Sequence, residues 1–69
     1  MAMTLKERRR YMGFSQNTVA KKLGVSIGTV NNWEDNPEKV AIGKALKLAE
    51  LYECSIDDLI FLPDNATKM

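Results

Sequence analysis

The sequence contains no histidine and a single cysteine, Cys54. Without histidine, the usual general base and the commonest metal ligand are both missing. One cysteine cannot form an internal disulfide, so an apolar core or a partner has to hold the chain together. No glycine-rich loop of the phosphate-cradling kind is present. Asp57 and Asp58 are neighbours at a helix start rather than an arranged carboxylate pair. These residues argue against an enzyme, a metal site and a cofactor. No apolar run approaches the ~18 residues of a membrane span, and no signal-peptide pattern appears, so a cytoplasmic protein is expected. Glycine (four) and proline (two) are sparse, and their positions therefore carry information.

The 69 residues, 45% apolar and 28% charged, are ordinary globular values and suffice for one small domain with one core. A small binding module is the expectation. A net charge of +1 looks weak for a nucleic-acid binder, but its distribution is lopsided. Residues 1–22 hold six basic side chains and one acid, whereas residues 23–69 hold four basic and eight acidic ones. The split alone does not make the basic part a binding face, because a basic helix surface is often only solvated.

Caps and glycines divide the chain into short helices. Thr4 with Glu7 forms a capping-box pattern, and Leu5, Arg8, Arg9 and Met12 share one face before Gly13, which predicts helix 1 at 4–12. Arg8, Arg10, Lys6 and Tyr11 are expected to be its solvated groups. Ser15 can cap a second helix at 16–23, with Val19, Ala20 and Leu23 apolar and Gly24 as the stop. Ser26 can cap a third at 27–34, with Val30 and Trp33 facing inward, and Asp35-Asn36-Pro37 reads as a turn.

A longer fourth segment spans roughly 38–52, with Ile42, Ala45, Leu48, Ala49 and Tyr52 at helical spacing. Gly43 inside it costs up to about 1 kcal/mol in propensity. Either close packing on another helix or a late helix start would explain it. Ser55 and Asp58 then announce a short fifth helix with Ile56, Leu59 and Ile60 on its apolar side. No strand-like alternation of useful length is visible. Residues 62–69 read as a loose tail.

Helices 2 and 3, each of about eight residues, are joined by Gly24-Val25-Ser26. That is the short, glycine-containing turn of a helix-turn-helix. Ala20 would sit at the crossing, with Val25, Val30 and Trp33 beneath it.

At this point the chain resembles a known family. The features are Leu5-Lys6-Glu7 with Arg9, Gly13-Phe14-Ser15-Gln16, Val19 through Ser26, Thr29-Val30, Trp33-Glu34, Lys47-Leu48-Ala49 and Cys54 through Leu59. They are similar to the lambda-repressor-like (Cro/C1, xenobiotic-response-element type) helix-turn-helix domains, over residues 4–61. The resemblance implies an all-α fold, a compact five-helix bundle with a central helix-turn-helix. It also implies a sequence-specific regulator of double-stranded DNA. The size points to a Cro-like or short phage-type repressor that binds a palindromic operator as a homodimer and occludes a promoter. The alternatives are an antitoxin or controller protein, or a protein-binding module using the same fold.

Residue by residue, the resemblance places Gln16 at the first turn of helix 2, bridging a phosphate and the start of the recognition helix. A helix N-terminus favours that contact, and the same position also suits an ordinary polar cap. The base-reading positions fall at Ile27, Gly28, Thr29 and Asn32, with Asn31 at the groove edge. Asparagine can bond bidentately to adenine, and Ile27 or the Thr29 methyl can touch a thymine methyl. For Ile27 the competing reading is a packing residue. The recognition helix carries no arginine or lysine, so the usual guanine contact is missing and A·T-containing half-sites are expected. Arg9 and Glu34 are implied as a structural ion pair. Phosphate contacts are assigned to Asn36, Lys39, Lys44 and Arg10, with Asp35 and Glu38 opposing them. Leu51, Phe61 and Leu62 either form a dimer edge or complete the core. Cys54 is expected to be a small buried hydrophobe.

Overall fold

The computed structural model describes residues 2–62. Residues 63–69, most of the expected tail, lie outside the described residues. In chain order the elements are β1 (Met3–Thr4), α1 (Leu5–Tyr11), α2 (Gln16–Leu23), α3 (Ile27–Asp35), a 3-10 turn (Pro37–Lys39), α4 (Ile42–Leu51), a second 3-10 turn (Ile56–Asp58) and β2 (Leu59–Ile60). Among the described residues the domain is thus essentially all-α, with four α-helices rather than five.

Local chemistry sets the first three helices. Thr4 and Glu7 exchange bonds reciprocally, with Glu7 N–H donating to Thr4 Oγ1 at 3.1 Å and Thr4 N–H donating to Glu7 Oε1 at 2.8 Å. Ser15 and Ser26 each accept from the backbone three residues on, at 3.1 Å. Such caps contribute about 1 kcal/mol apiece. Gly13 (φ 79°) and Gly24 (φ 69°) take the left-handed conformation just past α1 and α2. There Phe14 N–H reaches Arg9 O and Val25 N–H reaches Ala20 O, closing a Schellman motif at each end.

The fourth helix departs from expectation. It begins at Ile42, because residues 37–39 form the separate 3-10 turn that follows Pro37. Gly43 therefore falls in the first turn of α4. A Cβ placed there meets nothing within 4 Å, so the late start, not close packing, accounts for the glycine. Ile42 leaves the expected apolar stripe and is 70% exposed, while Val40 from the preceding turn packs on the core in its stead. Leu46, one turn on, is 54% exposed. The stripe that is buried is Ala45, Leu48, Ala49 and Tyr52.

The expected fifth helix is a single 3-10 turn. Asp58 does fold back, its carboxylate accepting from Ser55 N–H at 3.1 Å and Ser55 Oγ at 3.0 Å. These bonds hold the Asp58 carboxyl below its ordinary pKa. The chain then extends, and Leu59–Ile60 pairs in parallel with Met3–Thr4, Met3 opposite Leu59. This pairing joins the two ends of the domain and buries Leu59 beside Leu5, Val19, Ala20, Val30, Trp33, Leu48, Ala49 and Tyr52.

Candidate nucleic-acid interface

At about 100° per residue, Ile27, Gly28, Asn31 and Asn32 fall within one arc of α3, opposite Val30 and Trp33. All four are exposed, Ile27 at 50%, while Val30 and Trp33 are buried. Ile27 therefore contributes little to packing. Thr29 is half-buried, and its hydroxyl is within 2.9 Å of Ser26 Oγ, so it belongs to the cap more than to the outer surface. Asp35 is exposed on the same arc at the far end of the helix.

A polar network lies behind this face. Arg9 is buried and bonds Glu34 through both Nε (2.6 Å) and Nη2 (3.3 Å), while Nη1 donates to Phe14 O at 2.9 Å. A forked pair of this kind fixes orientation as well as distance. Gln16 Nε2 joins it, donating to Glu34 Oε1 at 3.0 Å and to Asn31 Oδ1 at 3.2 Å. These partners lie in the middle and near the end of α3, not at its start. The network thus ties the beginnings of the structure, α1 and α2, to α3. Tyr52 lies near it; burial, with a smaller push from the Glu34 charge, raises the pKa of its hydroxyl far above the usual value and keeps it neutral.

The residues assigned to phosphate contact are more scattered. Arg10 is exposed on α1, Lys39 is exposed in the 3-10 turn after α3, and Lys44 is half-buried on α4. Asn36 is half-buried and donates through Nδ2 to Asn32 Oδ1 at 2.9 Å. Leu51 and Phe61 pack against the core as half-buried side chains, whereas Leu62 is 58% exposed. Cys54 also packs on the core, and burial pushes its thiol pKa up.

Arg8 was expected in solvent. Instead its guanidinium donates to Tyr52 O (3.0 and 2.9 Å) and Glu53 O (3.2 Å) and lies 4.8 Å from the Tyr11 ring centroid. It thereby satisfies the carbonyls of the two residues that follow α4, where Glu53 occupies the left-handed region (φ 55°) that a glycine takes after α1 and α2. The signal was the position of Arg8 on the apolar face of helix 1, three residues after Leu5. Among the described residues, no group of three or more metal-ligating side chains comes together. No helix among them is long and apolar enough to cross a membrane.

The helix-turn-helix family HTH_3 matches residues 5–59, which include the α2–α3 motif, the network behind it and the closing Leu59. The chain belongs to the helix-turn-helix family HTH_3. HTH_3 domains are non-catalytic DNA-binding modules, which places this chain outside the enzymes. The chain is also 30% identical over 56 residues to Antitoxin HipB of Escherichia coli strain K12, covering 81% of this chain and 64% of that protein. It is equally similar to Antitoxin HipB of Escherichia coli O6:H1 (strain CFT073), covering 81% of this chain and 60% of that protein. The chain thus spans about three fifths of the length of these relatives. No solved structure matches it significantly. The relation is to antitoxin-type helix-turn-helix proteins, and the narrower Cro/C1 assignment finds no counterpart in it.

Proposed function

We propose that this HTH_3 chain is a regulator of the antitoxin or controller type that reads duplex DNA with the outward face of α3. The observation that carries this reading is the face itself. Ile27, Gly28, Asn31 and Asn32 are exposed together, over a helix locked from behind by Val30, Trp33 and the Arg9–Glu34 pair. The similarity to Antitoxin HipB favours an antitoxin or controller role over the Cro-like phage repressor of the sequence reading. In this reading α3 lies in the major groove, and the Thr29 methyl assists at its start. The α2 N-terminus at Gln16 meets a phosphate, and Asn36, Lys39, Lys44 and Arg10 lie along the backbone. So few cations, opposed by Asp35 and Glu38, make one subunit a weak binder. Two copies on a palindromic site supply the remaining affinity, with Leu62 at the dimer edge and Leu51 and Phe61 supporting it from the core rim. Occupancy of a promoter is then sufficient for repression.

Fluorescence anisotropy with duplex DNA at low salt tests this. Binding that weakens steeply as salt rises is expected, by about an order of magnitude or more between 50 and 200 mM. Flat salt dependence, or no binding at low salt, would contradict it and favour the protein-binding alternative.

A further inference from the structure

Hydrogen-bond polarity runs in one direction through the network behind α3. Arg9 can only donate, and the Glu34 carboxylate can only accept. Gln16 bonds the same carboxylate, so it must present its amide nitrogen there, and Nε2 is the atom 3.0 Å from Glu34 Oε1. The second Nε2 proton points at Asn31, so Asn31 must turn its carbonyl oxygen inward; Oδ1 is 3.2 Å away. Both protons of Gln16 are then committed inside the protein. Asn31 is left with Nδ2, which makes no hydrogen bond among the described residues, as the outward half of its amide. Asn32 differs, because its partner is another amide: Asn36 Nδ2 lies 2.9 Å from Asn32 Oδ1, no charged group fixes the direction of that bond, and either amide can turn.

An asparagine whose amide can turn freely offers donor and acceptor equally, and the bidentate contact to adenine uses both. An asparagine clamped by its oxygen, as Asn31 is, offers donors. Acceptors on major-groove edges are guanine N7 and O6, adenine N7 and thymine O4. Only guanine offers two acceptors side by side, and a clamped amide no longer gains from adenine N6.

We infer that Gln16 is a positioning residue that fixes Asn31 as an outward donor, so that α3 reads an acceptor-bearing edge, guanine foremost, without an arginine or lysine. The inference rests on the DNA-binding reading above. It alters the expectation of A·T half-sites at the position Asn31 meets. It also changes the part of Gln16 in phosphate binding. With both side-chain protons engaged, the contact falls to the backbone N–H groups at the start of α2.

The test is selection of sites from random duplex DNA by the wild-type chain, by Gln16→Ala and by Asn31→Ala. The last variant locates the base pair read by Asn31. Thermal unfolding checks that every variant is folded. The wild-type chain should select a G·C pair there. Gln16→Ala should relax that preference by about fivefold to tenfold against A·T. Replacing the selected guanine by 7-deazaguanine should weaken wild-type binding by a similar factor, with no change to the protein. Selection of an A·T pair there would overturn the inference while leaving the DNA reading intact. So would a Gln16→Ala chain that loses affinity uniformly with its preference unchanged. No sequence preference in the wild-type chain would overturn both.

Discussion

The two ends of this domain meet α1 through neighbouring arginines that do different work. Arg9 faces α3 and meets a carboxylate, side chain to side chain, in a buried forked pair. Arg8 faces the end of α4 and meets backbone carbonyls, half-buried and shared with solvent. The first contact sets the orientation of α3 and the hydrogen-bond polarity of Gln16 and Asn31. The second neutralises a helix end whose residue, Glu53, is conformationally unsuited to it. Adjacent positions on one short helix thus orient α3 on one side and close the chain on the other.

The largest effect is expected on the Arg9 side. Glu34→Ala leaves a buried guanidinium unpaired and should destabilise the domain by about 3–5 kcal/mol in urea unfolding. Replacing both partners with apolar residues, as Arg9→Met with Glu34→Leu, should cost less than that single change. Equal or greater loss in the double variant would mean that the pair stabilises the fold beyond its packing.

On the other side, Arg8→Ala should cost about 1–2 kcal/mol, the scale of partly exposed hydrogen bonds from a charged donor. Glu53→Gly should recover a large part of that in the Arg8→Ala background, because glycine adopts φ near 55° without strain. Neither change should alter base preference. A shift in preference with Arg8→Ala would break the division of labour between the two arginines.

The contrast between the two ends also explains what the residues alone reveal. α2, α3, their caps and the Gly24 turn are set by contacts within a few residues, and spacing suffices to find them. Arg9 and Glu34 are 25 positions apart, and only the resemblance brought them together. The second half depends on contacts that no local pattern announces. Ser55 and Asp58 make a genuine helix-start signal, yet the helix ends after one turn because Leu59–Ile60 gains a ladder with Met3–Thr4. Ile42 fits the α4 stripe by spacing, but no element among the described residues covers the first turn of that helix. Arg8 reads as a solvated cation because its acceptors are backbone carbonyls, which every sequence possesses.

The smallest effect concerns the same C-terminal turn. Ser55 holds the Asp58 pKa below its ordinary 3.8 in the folded state. The group therefore adds stability above that pH, and the contribution disappears as pH falls through the lowered value. Asp58→Asn should flatten the acid limb of a stability–pH profile below about pH 4 while leaving the neutral range almost unchanged. An unchanged acid limb would detach Asp58 from the stability of the turn.

The central claim is that α3 and the start of α2 form the surface that meets DNA. Titrating isotopically labelled protein with duplex DNA and following backbone amide resonances tests it directly. The account predicts the largest changes at Gln16–Thr18 and Ile27–Asn36, smaller ones at Lys39 and Lys44, and the rest of α4 and Leu59–Ile60 little affected. Changes concentrated on the exposed Ile42 and Leu46 face, with α3 unmoved, would contradict it.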